Sequence, residues 1–449
     1  MRLLRLRTWP VTAAAVTMVL AGAAACGGTG GGAGGGNGQG GGGKTLTYWA
    51  SVEGTGVPQT KQTLGPVIKK FEKKTGITVD YHIISWENLL KKILTAETSG
   101  TGPDVVDIGN TWSPSLAATD AFVTFDQATM RKVGGSDRFV QRALKATGLP
   151  GKSPMSLPIY GEAYALFYNK KAFKEAGIGS PPATWDEFVA DARKLTDPPK
   201  KWGAVIEGSS YTEGSHWAFM LGQQYGNPLY KNGKPNFATP TMVKAVRQYV
   251  DLIGSDKVVN PAAAQYESSQ FSNAFASGKS AMLIAQNITM GSLIKLGMKP
   301  SEFGVAPMPL PDPMPAGGKP VQSHTAGINL AVFKYSQNKD AAYKFVRYMT
   351  SESAQVALNK GYGTLPTVAS AYDASAFGGH TYQVFKNVYA HHSQPMPLVP
   401  SESQMETSLG GAVVDLVGKA ATSGQVSDQQ VMSALKSAEQ KVAAAGAGG

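Results

Sequence analysis

Cysteine is all but missing from this 449-residue chain: Cys26 is the only one. No disulfide can form within the chain, so its stability must come from its core. Catalytic signatures are missing too. The chain has no G-x-S-x-G elbow, no H-E-x-x-H and no cysteine pair, which removes the commonest serine-hydrolase and zinc patterns. Histidine is scarce, at six residues, and the adjacent His391 and His392 would point apart on most backbones. No metal site and no cofactor are expected. No apolar run is long enough to span a bilayer, the segment 11–25 included. The formal charge is +11, yet no Lys/Arg run is interleaved with aromatics as a nucleic-acid groove requires. Nucleic acid is therefore not an expected partner.

What is present begins with a leader. In residues 1–25, Arg2, Arg5 and Arg7 precede the apolar segment, which ends in Ala23-Ala24-Ala25 and reads as an export signal. Without it, Lys and Arg number 39 against 31 Asp and Glu, a dispersed +8. Residues 26–44 are Cys26 and a tract of almost unbroken glycine. Such a tract cannot pack a core and acts as a flexible tether spanning roughly 20–25 Å. The remaining length, with an ordinary 42% of apolar residues, suffices for two or three domains.

Folded structure is expected from Thr45. Leu46 to Trp49 form a first strand, and Leu64, Val67, Ile68 and Phe71 mark one face of a helix that Gly76 closes. Ile77, Val79, Tyr81 and Ile83 alternate as a second strand. A helix through Leu89, Leu90, Ile93 and Leu94 then leads to a third strand at residues 105–108. This order implies a parallel sheet, with ligands beyond the carboxyl ends of its strands. Two strand ends point there, one supplying Trp49 and Glu53, the other Asn110, Thr111 and Trp112. For any one of these aromatics, a place in the core is the commoner role.

The stretch 157–170, L-P-I-Y-G-E-A-Y-A-L-F-Y-N-K, organises the rest. A short apolar run bounded by breakers suits a strand buried on both faces. Glu162 sits at its head between Tyr160 and Tyr164. Either it is a solvated residue at the mouth of a core strand, or the stretch crosses between two domains with Tyr160 and Glu162 facing a cleft. Further on, Thr184 to Glu187 and Ser427 to Gln430 read as capping boxes, and Thr239-Pro240 as a helix start. His324, just before a strand at residues 327–333, is a candidate hydrogen-bonding residue of the same cleft. Carboxylates are plentiful enough to supply a glycosidase pair, and Glu162 with Glu207 or Glu213 is the trio to examine for one.

The motifs P-x-Y-G-E-A-x-A-L-x-Y-N-K, F-E-K-K-T-G-I-T-V (71–79), G-P-D-V-V-D-I-G-N-T-W (102–112), F-A-S-G-K-S-A-M (275–282) and the helix at 340–355 occur in order. Together they resemble the carbohydrate-specific solute-binding proteins of bacterial ABC importers, of the maltodextrin-binding type. The resemblance implies a two-lobed α/β periplasmic-binding-protein-like fold, each lobe a mostly parallel sheet flanked by helices, joined by three hinge crossings. The first lobe would hold residues 45–159 plus 304–351, and the second 160–303 plus 352–449. It implies that Tyr211 and Trp217 form an aromatic wall, and that Asn287 stands where the family often has a Trp or another contact. Cys26 resembles a lipobox cysteine, with Ala23 in place of the usual Leu; the alternative is a freely secreted protein cut after Ala25. The implied function is binding a di- or oligosaccharide and delivering it to ABC permease subunits. The protein would be an extracytoplasmic monomer tied to the membrane only by its lipid. The alternatives are an extracytoplasmic glycosidase or lyase, or a sugar sensor.

Overall fold

The computed structural model describes residues 45–446. The expected export signal, Cys26 and the glycine tract lie outside the described residues.

Strand β1 (Thr45–Ser51) alternates, sending Leu46, Tyr48 and Ala50 into one core. Helix α1 (Val57–Thr75) buries Leu64, Val67, Ile68 and Phe71 and ends where Gly76 adopts a left-handed φ of 69°. β2 (Thr78–Ile84), α2 (Trp86–Ser99) and β3 (Val105–Gly109) follow, and β1 pairs in parallel with both β2 and β3. β4 (Ser156–Glu162) and β5 (Tyr164–Asn169) are separated by Ala163 alone. α3 (Trp185–Lys194) opens with the expected capping box: Thr184 Oγ1 accepts the Glu187 N–H at 3.2 Å, and Glu187 Oε2 accepts the Thr184 N–H at 3.1 Å. β6 (Trp202–Val205) leads to α4 (Tyr211–Gln224), and α5 (Pro240–Val250) is capped by Thr239. The later long elements are β7 (Ser280–Gln286), β8 (Phe303–Ala306), β9 (Ala326–Val332), α6 (Lys339–Met349), α7 (Glu352–Tyr362), α8 (Glu402–Ser423) and α9 (Asp428–Gly446). The second capping box also forms, between Ser427 and Gln430.

Besides two small two-stranded ribbons, the strands form two large sheets, ordered β2-β1-β3-β9-β4 and β8-β5-β7-β6. Both are more mixed than a β-α-β order implies. β9 runs antiparallel to β3 and β4, and β5 antiparallel to β7 and β8, because these strands enter from the other sheet rather than through a local crossover helix. Helices flank each sheet. One core gathers Tyr48 and Leu330 of the first sheet with Phe345 of α6, a second lies around Ile93, Ile108 and Phe333, and a third encloses the second sheet.

The chain passes between the sheets where β4 ends at Glu162 and β5 begins at Tyr164. The first-lobe segment expected to start at residue 304 starts later, since β8 pairs throughout with β5 in the second sheet and the chain rejoins the first sheet only at β9. The segment expected to leave at residue 352 also stays longer. Ala354, Leu358, Tyr362 and Val368 pack in the first-sheet core, whereas Leu365 at the crossover and then Phe385 pack in the second. Sequence placed both breaks at changes of pattern, whereas strand pairing and packing place them one element further on. Among the described residues no helix is long and apolar enough to cross a membrane.

Candidate ligand-binding site

A cavity of about 240 Å³ lies at this crossover, lined from both sheets. Its walls come from the carboxyl ends of strands, where a doubly wound sheet leaves its loops. Glu53 follows β1, Asn110 and Thr111 follow β3, Glu162 ends β4, and Glu207 follows β6. Trp86 opens α2 and supplies the large flat aromatic face. Glu213 and His216 project from the first turns of α4, three residues apart and therefore on one side of the helix.

Each group is held by its own contacts. Ser51 donates its hydroxyl to Glu53 Oε1 at 2.6 Å, and Thr60 Oγ1 accepts the Glu53 N–H at 2.8 Å. Asn110 Nδ2 donates to the Thr325 carbonyl at 2.6 Å. The Tyr164 hydroxyl lies 2.7 Å from Glu213 Oε1 and 2.8 Å from His216 Nδ1. His216 Nε2 sits 3.3 Å from Glu406 Oε1 of α8, an ion-pair contact outside hydrogen-bond geometry. The His216 and His324 rings face each other with centroids 3.9 Å apart.

Electrostatics follow from burial. Burial, opposed by the His216 charge and reinforced by Glu213, raises Glu162 to about 7. Burial and the Glu162 charge push Glu53 well up, and burial and Glu213 do the same to Glu207. Behind the wall, burial lifts Asp107 to about 6 against the Tyr48 and Ser51 hydrogen bonds that favour its charge. Burial alone would pull His216 down, but Glu213 and Glu406 outweigh it and raise it to about 9. His324 moves the other way, well below its usual value, through burial and the neighbouring His216 charge.

Of the expected site residues, Glu53, Asn110, Thr111, Glu162 and His324 line this cavity. The others lie elsewhere. Trp112 is 0% exposed, with its ring stacked on Trp86 and its indole N–H donated to Glu406 Oε2 at 2.8 Å. Tyr160 packs edge-on against Tyr362 in the first-sheet core. Trp217 is 4% exposed and packs on Tyr249, because one residue along α4 turns the side chain about 100° away from His216. Tyr211 lines a separate surface groove with Leu94 and Thr407, and Trp49 another with His82 and Lys92. Asn287 is wholly buried and serves the crossover itself: its Oδ1 accepts the Ala163 N–H at 2.8 Å and its Nδ2 donates to the Gly363 carbonyl at 3.1 Å.

Sequence reasoning missed Trp86 and His216 and treated Glu207 and Glu213 only as candidate catalytic acids. A Trp placed directly after the Ser85 N-cap, at the carboxyl end of β2, was the available signal for Trp86. Packing keeps that platform in place: a side chain on Gly109 would come within 3.2 Å of the Trp86 ring and 3.3 Å of Trp112.

Residues 54–356 match the family model described as bacterial extracellular solute-binding protein. A binding protein of Brucella abortus is 28% identical over 302 residues, covering 67% of this chain and 71% of that one. The diacetylchitobiose binding protein of Streptomyces coelicolor is 27% identical over 334 residues, covering 72% and 73%. Among solved structures, the ABC transporter solute-binding protein of Thermotoga lettingae, bound with α-D-tagatose, superposes with a TM-score of 0.77 at 24% identity, covering 89% of this chain and 100% of that one.

Proposed function

The chain belongs to the family of bacterial extracellular solute-binding proteins, and we propose that it binds a sugar in the crossover cavity and hands it to the permease of an ABC importer. One observation carries this reading. Trp86 offers a flat face for stacking on a sugar ring, and carboxylates, an amide and hydroxyls converge on the same space from loops of both sheets. Rings stack on such faces while hydroxyls exchange water for charge-assisted hydrogen bonds. The diacetylchitobiose and tagatose named for two similar proteins agree with that chemistry.

Binding would close the lobes about the crossover held by Asn287 and present the closed form to the permease. The cavity is slightly smaller than the ~300–1,000 Å³ of common small-molecule sites, which favours a short saccharide. No chemical turnover is part of this reading. Residues 1–25 would direct export, and Cys26 would carry a lipid holding a monomer outside the cell. Thermal melting against a panel of mono- and disaccharides tests the reading, since a ligand at 100 times its Kd adds ~2.7 kcal/mol. A raised melting temperature with one sugar class supports it. A flat response to every sugar contradicts it.

A further inference from the structure

The cavity is acidic and has no matching base. Glu53, Glu162, Glu207 and Glu213 line it, Glu87 stands at its exposed rim, and no lysine or arginine lines it. Its two imidazoles do not balance these acids. The one positive charge of His216 is already shared between Glu213 and Glu406. His324 is 1% exposed, and neither of its ring nitrogens has a partner. Glu162 is 5% exposed and takes no hydrogen bond that would stabilise its charge.

Unpaired carboxylates in such a place are costly and stay protonated until a counter-charge arrives. Raised values at Glu53, Glu162 and Glu207 express that cost. A metal ion is not the counter-charge, because among the described residues no three His, Cys, Asp or Glu are placed to hold one. A neutral sugar would accept and donate hydrogen bonds here but bring no charge. We propose that the ligand of this cavity carries a basic nitrogen, as an amino sugar does, with its ammonium group seated between Glu53 and Glu162. The inference rests on the sugar-binding reading above and narrows its substrate class. Binding such a cation would ionise carboxyls that are protonated in the empty cavity, so it would release protons.

The test uses matched sets of the free sugar, its amino form and its N-acetyl form, in the glucose, galactose and β-1,4-linked disaccharide series. Titration calorimetry at pH 6 in two buffers of different ionisation enthalpy reads affinity and proton release together. The amino form should bind at least tenfold tighter than its neutral partners and release about one proton. Its affinity should rise more than tenfold from pH 5 to pH 7 as Glu162, with Glu53, Glu207, Glu213, His216 and His324 around it, gives up its proton. Glu162→Gln, and separately Glu53→Gln, should cost the amino form at least tenfold more affinity than they cost its neutral partners. Neutral forms binding as tightly as the amino form, or no proton release, would overturn the inference and leave sugar binding standing. Silence of every member, amino and neutral alike, would overturn the sugar reading and this inference with it.

Discussion

Trp86 lies flat on Trp112, ring centroids 4.4 Å apart and planes 23° apart, and only Trp86 lines the cavity. The two indoles divide the work of one platform. Trp112 is the buried base, fixed by its hydrogen bond to Glu406, and Trp86 is the face left for a ligand. The pair also joins distant parts of the chain, since Glu406 lies 294 residues beyond Trp112 and also contacts His216.

Truncating each indole should separate the two roles. Trp86→Ala should weaken binding of the best saccharide about thirtyfold or more, the ~2 kcal/mol typical of a central aromatic anchor, with little change in the melting temperature of the empty protein. Trp112→Ala should instead cost ~3–5 kcal/mol of folding stability. Melting and titrating both variants side by side checks the assignment. Equal affinity in wild type and Trp86→Ala would remove the platform from the site.

Asn287 should behave as a hinge residue and not as a ligand contact. Asn287→Ala strands the buried Ala163 N–H, a loss of roughly 1–3 kcal/mol. Denaturant unfolding should register that loss. A variant of wild-type stability with weakened sugar affinity would return Asn287 to the cavity wall.

Stability should fall as pH rises through the range of the raised carboxyls. A carboxyl lifted by folding binds its proton more tightly in the folded state, so its stabilisation is complete below the unfolded value and is lost on passing the folded one. For Glu162 the window runs from 4.5 to about 7, and for Asp107 from 3.8 to about 6. At ~1.4 kcal/mol per pKa unit the Glu162 contribution is on the order of 3–4 kcal/mol. Glu162→Gln should therefore melt progressively higher than wild type between pH 5 and pH 8. A constant gap across that range would contradict the buried state of Glu162.

Cys26→Ser tests the anchor independently of the fold. The account expects the variant in the culture medium, binding sugar as wild type does. Retention at the membrane would remove the lipid from Cys26.

Much of the architecture was legible because it is written locally. Leu64, Val67, Ile68 and Phe71 fall on one helical face, Thr184 and Glu187 close a capping box, and the breaker-bounded run after Gly161 is the crossover it resembles. Glu53, Asn110 and Thr111 reach the cavity as the rule for strand-end loops implies. Side-chain direction was less legible. Trp217 and His216 are neighbours in sequence, and only the phase of α4 at its entry sends one to the core and the other to the cavity. Trp86 and Trp112 both follow strands, and which of them is buried depends on Glu406, far along the chain. Asn287 reads as a contact on the family resemblance alone, and its actual partners, the Ala163 N–H and the Gly363 carbonyl, are backbone groups more than 70 residues away that local sequence does not reveal.

In the proposed function the crossover cavity holds a sugar and releases it unchanged. Titrating the purified protein with the saccharide that melts it highest, then recovering that saccharide by chromatography, tests this most directly. Saturable one-to-one binding is expected, weakened in Glu162→Gln and in Trp86→Ala, with the sugar recovered intact. New reducing ends that appear with the wild type and vanish in Glu162→Gln would contradict it, and would identify the acids of this cavity as a glycosidase pair.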